Sequence, residues 1–120
     1  MEHICLAMPV LAGKSDAACD FFRQLDAGRR AEFDASERRI GITKELWYLA
    51  KLAAGDHVIG YMETNDFNRA LQSFVASRDP FDMWFKQQLL AVTGLDLNNP
   101  PANMTPPELL SCYEATPAHA

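Results

Sequence analysis

Apolar residues along this chain follow two periods, and the switches between them mark the elements. From Glu2 to Val10, Ile4, Leu6 and Met8 fall on one side and His3, Cys5 and Ala7 on the other, which predicts a strand. Gly13-Lys14 then turns the chain. Ser15 is placed to cap a helix, with Asp16 in its first turn, where a negative charge meets the helix dipole favourably. Ala18, Phe22, Leu25 and Phe33 recur at near-helical spacing, and Phe21 widens the stripe. Gly28 is a point of bending or weakness in this helix. The mixed-charge run Arg29–Arg39 continues it as a solvated segment that Gly41 ends.

The middle of the chain, Leu46 to Glu63, reads as two strands folded back on an Ala54-Gly55-Asp56 turn. Leu46, Tyr48, Ala50 and Leu52 oppose Trp47, Leu49 and Lys51, while Val58, Gly60 and Met62 oppose His57, Ile59, Tyr61 and Glu63. Helical sequence resumes near Asn65 or Asp66 with the stripe Phe67, Ala70, Leu71, Phe74 and Val75. The strongest local signal is Asp79-Pro80-Phe81-Asp82, a cap followed by proline at the first helical position and an acid in the first turn. Phe81, Trp84, Phe85, Leu89 and Val92 line one face of that helix, and Gly94 stops it. Residues 98–107 are too rich in proline and asparagine for helix or interior strand, and Leu109–Glu114 is read as a last short strand. One domain is expected over residues 1–115, with 116–120 as a flexible tail.

The order strand, helix, strand, strand, helix, strand predicts an α+β fold. It is the ferredoxin-like βαββαβ arrangement, a four-stranded antiparallel sheet whose last strand lies beside the first. Helices cover one sheet face only. The strands offer Trp47, Leu49, Ile59 and Tyr61 to one side and Leu46, Tyr48, Val58 and Met62 to the other, so either choice leaves an apolar face in water. That patch exceeds what a monomer ordinarily exposes, and a homodimer that buries it with two-fold symmetry is expected.

Composition excludes several classes. A formal net charge of −5 and a pI of about 5.0 repel phosphate backbones, so nucleic acid is not an expected partner. The third strand also lacks the basic, Gly-rich pattern of the RNA-recognition motif. Ile4–Leu11 is too short to span a bilayer, is broken by Pro9 and follows Glu2 rather than a cation, so neither membrane nor export is expected. Cys5, Cys19 and Cys112 share no CxxC spacing and suit free thiols in a cytoplasmic protein.

Three blocks, Arg29–Thr43, Asp79–Lys86 and Val92–Leu97, resemble a small uncharacterised bacterial family of the dimeric α+β barrel superfamily. The resemblance runs from the first strand to the last. It implies a homodimeric barrel of ferredoxin-like protomers. The superfamily's activities include cofactor-independent monooxygenation, muconolactone-type isomerisation, haem handling and ligand sensing, so fold alone assigns no reaction.

The residues themselves point to a small, largely apolar or aromatic ligand, with no cofactor. Tyr48 or Tyr61 would position a substrate oxygen, and Glu63 or His57 would act as base, in a monooxygenase or isomerase acting on aromatic or polyketide-like compounds. Trp47 and Trp84 would line the pocket, and Arg29 and Arg30 would meet an anionic group at its mouth. The competing reading is a structural or interaction domain without a pocket, whose aromatics are consumed by core and dimer contacts. Arg29, Arg30, Arg38 and Arg39 with Glu32, Asp34 and Glu37 read most simply as i, i+4 ion pairs on a wet helix. His3, Cys5 and Cys112 lack close ligand spacing, and no metal site is expected. Cys19 has only Arg23 within a turn and no histidine, so it reads as an inert thiol.

Overall fold

A computed structural model describes residues 1–102 and 104–116. Along them run β1 (Glu2–Pro9), α1 (Ser15–Asp26), α2 (Arg30–Ile40), β2 (Ile42–Leu52), β3 (Gly55–Thr64), α3 (Phe67–Ala76) and α4 (Pro80–Thr93). The strands form an antiparallel three-stranded sheet in the order β1-β3-β2.

The expected fourth strand is absent among the described residues. Leu109–Glu114 has no regular structure, and Leu109, Leu110 and Tyr113 are 68%, 87% and 87% exposed. The free edge of β1 could supply hydrogen bonds, but the segment carries Leu109 and Leu110 in succession rather than in alternation. Neither finds an apolar surface within this chain, and without burial a lone edge strand gains little. Most of the expected tail, residues 117–120, lies outside the described residues.

The helices end where the sequence says they should, with two adjustments. Gly28 divides the first helical region into α1 and α2 rather than bending it. Ser15 is the first residue of α1, not its cap; its hydroxyl donates to Asp56 Oδ2 at 2.7 Å and ties α1 to the hairpin. Gly41 and Gly94 take left-handed φ values of 87° and 80° after α2 and α4. Asp66 and Asp79 cap α3 and α4 by accepting from the backbone N–H of Arg69 and Phe81.

The hairpin corrects the expected sheet faces. Leu52 pairs with Gly55, so the turn is only Ala53-Ala54, and the register sets Leu46 opposite Tyr61 and Trp47 opposite Gly60. A three-residue turn would place Trp47, Leu49, Ile59 and Tyr61 together; removing one residue swaps the parity. Trp47 and Leu49 therefore join Val58 and Met62 under the helices. Leu46, Tyr48, Ile59 and Tyr61 share the outer face.

Two groups of buried residues fill the space between sheet and helices. One gathers Ala18, Phe21, Leu25, Phe33, Val58, Phe81, Phe85, Leu89 and Val92; the other gathers Ile42, Met62, Phe67 and Ala70. Phe85 is the hub of the first, with ring centroids 5.0 Å from Phe21 and 5.4 Å from Phe74 in edge-on contacts. Each such ring contributes roughly 1.5–3 kcal/mol by burial. Two charged side chains are buried as well. Lys86, 1% exposed, donates to the carbonyls of Phe74, Val75 and Ser77 at 3.0, 3.1 and 2.9 Å, closing the C-terminal end of α3. Asp82 accepts from Ser36, from Ser77 at 2.6 Å and from Arg39 at 3.3 Å, which pins α2 against the α3–α4 junction. No helix among the described residues is long and apolar enough to cross a membrane.

Candidate functional site

The two core groups do not meet completely. Between them lies a cavity of about 490 Å³, bounded by Leu6, Met8 and Met62 of the sheet, Phe33, Glu37 and Ile40 of α2, Phe67, Leu71 and Phe74 of α3, and Phe81, Phe85 and Leu89 of α4. Met104–Pro107 close one side. Its size suits a small organic ligand, and its wall is overwhelmingly apolar.

Local geometry delivers the exceptions. On α2, Phe33, Ser36, Glu37 and Ile40 follow the i, i+3, i+4, i+7 rule and face inward together. On β2, the register shifts between Ile42 and Lys44, so Ile42 and Glu45, three residues apart, both point under the helices. The result is a carboxyl from a helix beside a carboxyl from a strand.

Trp47 holds this pair in place. Its indole lies against Gly60, where a Cβ would stand 2.7 Å from ring atoms Cη2 and Cζ3, and Phe22 stacks on it at 4.5 Å. Only glycine at position 60 leaves room for the ring. The indole Nε1 donates to Glu45 Oε2 at 2.7 Å. The Glu37 carboxyl stands beside that of Glu45, near enough for each to shift the other's proton affinity.

The electrostatics follow from that enclosure. Burial, the neighbouring Glu45 charge, its hydrogen bond and the more distant Asp82 push Glu37 from its ordinary 4.5 up to about 10. Burial raises Glu45 too, opposed by the hydrogen bonds it accepts from Trp47 and Glu37. Glu37 thus carries the proton at neutral pH and donates it toward Glu45, the more readily ionised partner. What accessible surface the two carboxyls retain borders the cavity and an adjoining cleft. Two adjacent, half-buried carboxyls of raised proton affinity at an apolar wall form an acid–base couple able to exchange a proton with a bound molecule.

The residues singled out from sequence are distributed differently. Trp47 lines the cavity. Tyr48, Tyr61, His57 and Glu63 lie on the opposite, outer face of the sheet. Tyr61 donates to Glu63 Oε2 at 2.7 Å, a bond that raises the phenol's pKa, and its ring meets His3 edge-on at 6.2 Å. Tyr48 is 58% exposed, and His57 Nδ1 lies 3.0 Å from the Gly55 carbonyl oxygen at the hairpin end. Trp84 packs on Phe21 away from the cavity, beneath the Arg29 guanidinium at 4.0 Å. Arg29 and Arg30 pair with Glu32 and Asp26 at 3.2 and 3.1 Å. Strand parity turns all four outward, so none of Tyr48, Tyr61, His57 and Glu63 borders this cavity. Among the described residues, no three His, Cys, Asp or Glu side chains converge as metal ligands would.

Glu37 and Glu45 were the residues hardest to find in the sequence. Glu37 sits in a run of charges that reads as a wet helix. Its signal is the spacing from Phe33 and Ile40, which places it on the apolar side.

No family of protein sequences matches this chain, nor does any curated protein sequence. Its fold matches that of tetracenomycin F2 cyclase from Streptomyces glaucescens, a type-II polyketide cyclase, with a TM-score of 0.59. The match covers 97% of this chain and 100% of that one at 13% identity, a likeness of fold rather than of sequence.

Proposed function

We propose that the protein binds a small, largely apolar, polyketide-like aromatic compound between sheet and helices and moves a proton on it. The observation carrying this reading is the Glu37–Glu45 couple, with its raised pKa values, in an otherwise apolar cavity of about 490 Å³. The cyclase that shares the fold adds weight to the substrate class.

In this mechanism ionised Glu45 removes a proton from carbon beside a substrate carbonyl while Glu37 gives its own proton to the carbonyl oxygen. The product is the enol, and the enzyme's proton count is unchanged. Return of a proton at another carbon is isomerisation, and attack of the enol carbon on a second carbonyl closes a ring. A cofactor-independent oxygenase begins with the same deprotonation and then consumes dioxygen. Trp47 keeps Glu45 oriented.

The outer face enters through assembly. Leu46, Tyr48 and Leu52 are 39%, 58% and 53% exposed, and association of two copies across this face buries them with Tyr61, Glu63 and His57. Tyr48, Tyr61, His57 and Glu63 are on this reading interface groups first.

A thermal-shift screen with tricyclic and tetracyclic phenols and quinones tests the binding. Ligands must raise the melting point, and a 1,3-diketone probe must exchange its α-hydrogen for deuterium faster with the native chain than with Glu45→Gln. Absence of any shift, with sedimentation at twice 13.4 kDa, would leave the purely structural reading standing.

A further inference from the structure

Four successive residues of β1, Leu6, Ala7, Met8 and Pro9, border the cavity. Alternation accounts only for Leu6 and Met8, whose side chains point under the helices. Ala7 and Pro9 turn theirs to the outer face, so it is their main chain that meets the cavity, along the unpaired edge of an outermost strand. The phase of the ladder says which peptide groups stand there. The Val10 N–H donates to the Asp56 carbonyl oxygen at 2.9 Å, so even-numbered residues of β1 turn their N–H and C=O toward β3 and odd-numbered ones toward the free edge. Leu11 agrees, its N–H reaching away from β3 to the Val92 carbonyl oxygen at 2.8 Å. Within the stretch that lines the cavity, Leu6 and Met8 are thus engaged in the sheet and Pro9 has no N–H. Ala7 alone offers both a donor and an acceptor, and among the described residues neither has a main-chain partner.

We infer that the main chain of Ala7 is a second polar anchor of the ligand site: its N–H donates to a carbonyl oxygen of the ligand, and its C=O accepts from a hydroxyl beside that carbonyl. The inference rests on the ligand-binding reading above and narrows the substrate. Ala7 stands opposite Ile59 and Ile59 opposite Tyr48, three residues from Glu45. That separates the backbone anchor from the acid pair by roughly 10 Å along the strands and roughly 10 Å across them, a diagonal of about 14 Å. One small oxygen-bearing group cannot serve both. The ligand is therefore elongated and oxygenated at both ends, one end lying at Glu37 and Glu45 and the other held at the β1 edge. An apolar wall cannot choose between the two ends of such a molecule, whereas a peptide group already fixed in a strand orients it without further ordering.

The test titrates an isotope-labelled full-length chain with 2-acetylnaphthalene and with 2-ethylnaphthalene, which has nearly the same shape and no oxygen, following the amide resonances. One hydrogen bond should make the ketone bind about three- to tenfold tighter than the hydrocarbon, and only the ketone should slow hydrogen exchange at the Ala7 amide. Ala7→Pro removes the donor without costing a ladder bond, as Pro9 already does at the same edge, and should abolish the ketone's advantage while leaving 2-ethylnaphthalene unchanged. Cys5→Pro, on the same edge but outside the cavity wall, should alter neither affinity. If the Ala7→Pro chain fails to fold, an ester in place of the Leu6–Ala7 amide deletes the same N–H, supplied by joining a synthetic segment 1–18 to residues 19–120 at Cys19. Equal affinities for ketone and hydrocarbon, an advantage that survives loss of the N–H, or an Ala7 amide already protected in the ligand-free chain overturn this inference alone. Binding of neither compound overturns the ligand-binding reading along with it.

Discussion

Replacing Glu37 by glutamine isolates the most perturbed group of the cavity. In the unfolded chain its carboxyl ionises near 4.5, while in the folded chain it holds its proton up to about 10. Between those limits the folded chain binds more protons than the unfolded one, so stability falls as pH rises. The favourable contribution is complete below the lower limit and lost by the upper one. The slope is at most about 1.4 kcal/mol per pH unit, or up to about 3 kcal/mol between roughly pH 5 and pH 7.5. Glutamine keeps a donor toward Glu45 but has no proton to lose, so its curve should be flatter. Urea denaturation of both chains at half-unit pH steps measures the difference. The two should agree near pH 5 and diverge above it, Glu37→Gln becoming the more stable by up to about 3 kcal/mol near pH 7.5, or roughly 10 °C in melting point. Parallel curves across that range would refute a half-buried Glu37 that keeps its proton at neutral pH.

Three further substitutions probe the supports of the site. Gly60→Ala forces Trp47 off its seat and should cost about 1–3 kcal/mol, with a red-shifted Trp47 emission in a Trp84→Phe background; an unchanged spectrum would argue against the close approach. Lys86→Met leaves the carbonyls of Phe74, Val75 and Ser77 without their donor, and thermal denaturation should show a loss of about 3 kcal/mol, with faster amide exchange at the end of α3. Asp82→Asn removes the buried charge that gathers Ser36, Ser77 and Arg39 and should cost about 3 kcal/mol in urea denaturation; Arg39→Gln, at the exposed rim of that cluster, should cost under about 1 kcal/mol.

Much of the frame was legible because it rests on local chemistry. Period-two alternation in Ile4, Leu6 and Met8, helical stripes from Ala18 and Phe67, and the Asp79-Pro80 start with its Gly94 stop are properties of a few adjacent residues. They correspond to β1, α1, α3 and α4. The likeness to a cyclase fold agrees with the α+β class those elements imply. The last strand failed because its formation depends on what its side chains can bury, a question that Leu109 and Leu110 cannot answer alone.

The site was decided by distance in sequence and parity in space. A turn of Ala53-Ala54, one residue shorter than the pattern suggests, sends Tyr61 and Tyr48 outward and brings Trp47 beneath the helices. A register shift near Thr43 aims Glu45 inward, and α2 carries Glu37 to meet it. Local sequence determined which segments are strands and helices, because backbone preference and amphipathic spacing are read over one or two turns. Tertiary structure alone decided which acids lose their water, because desolvation is imposed by residues that only folding makes neighbours.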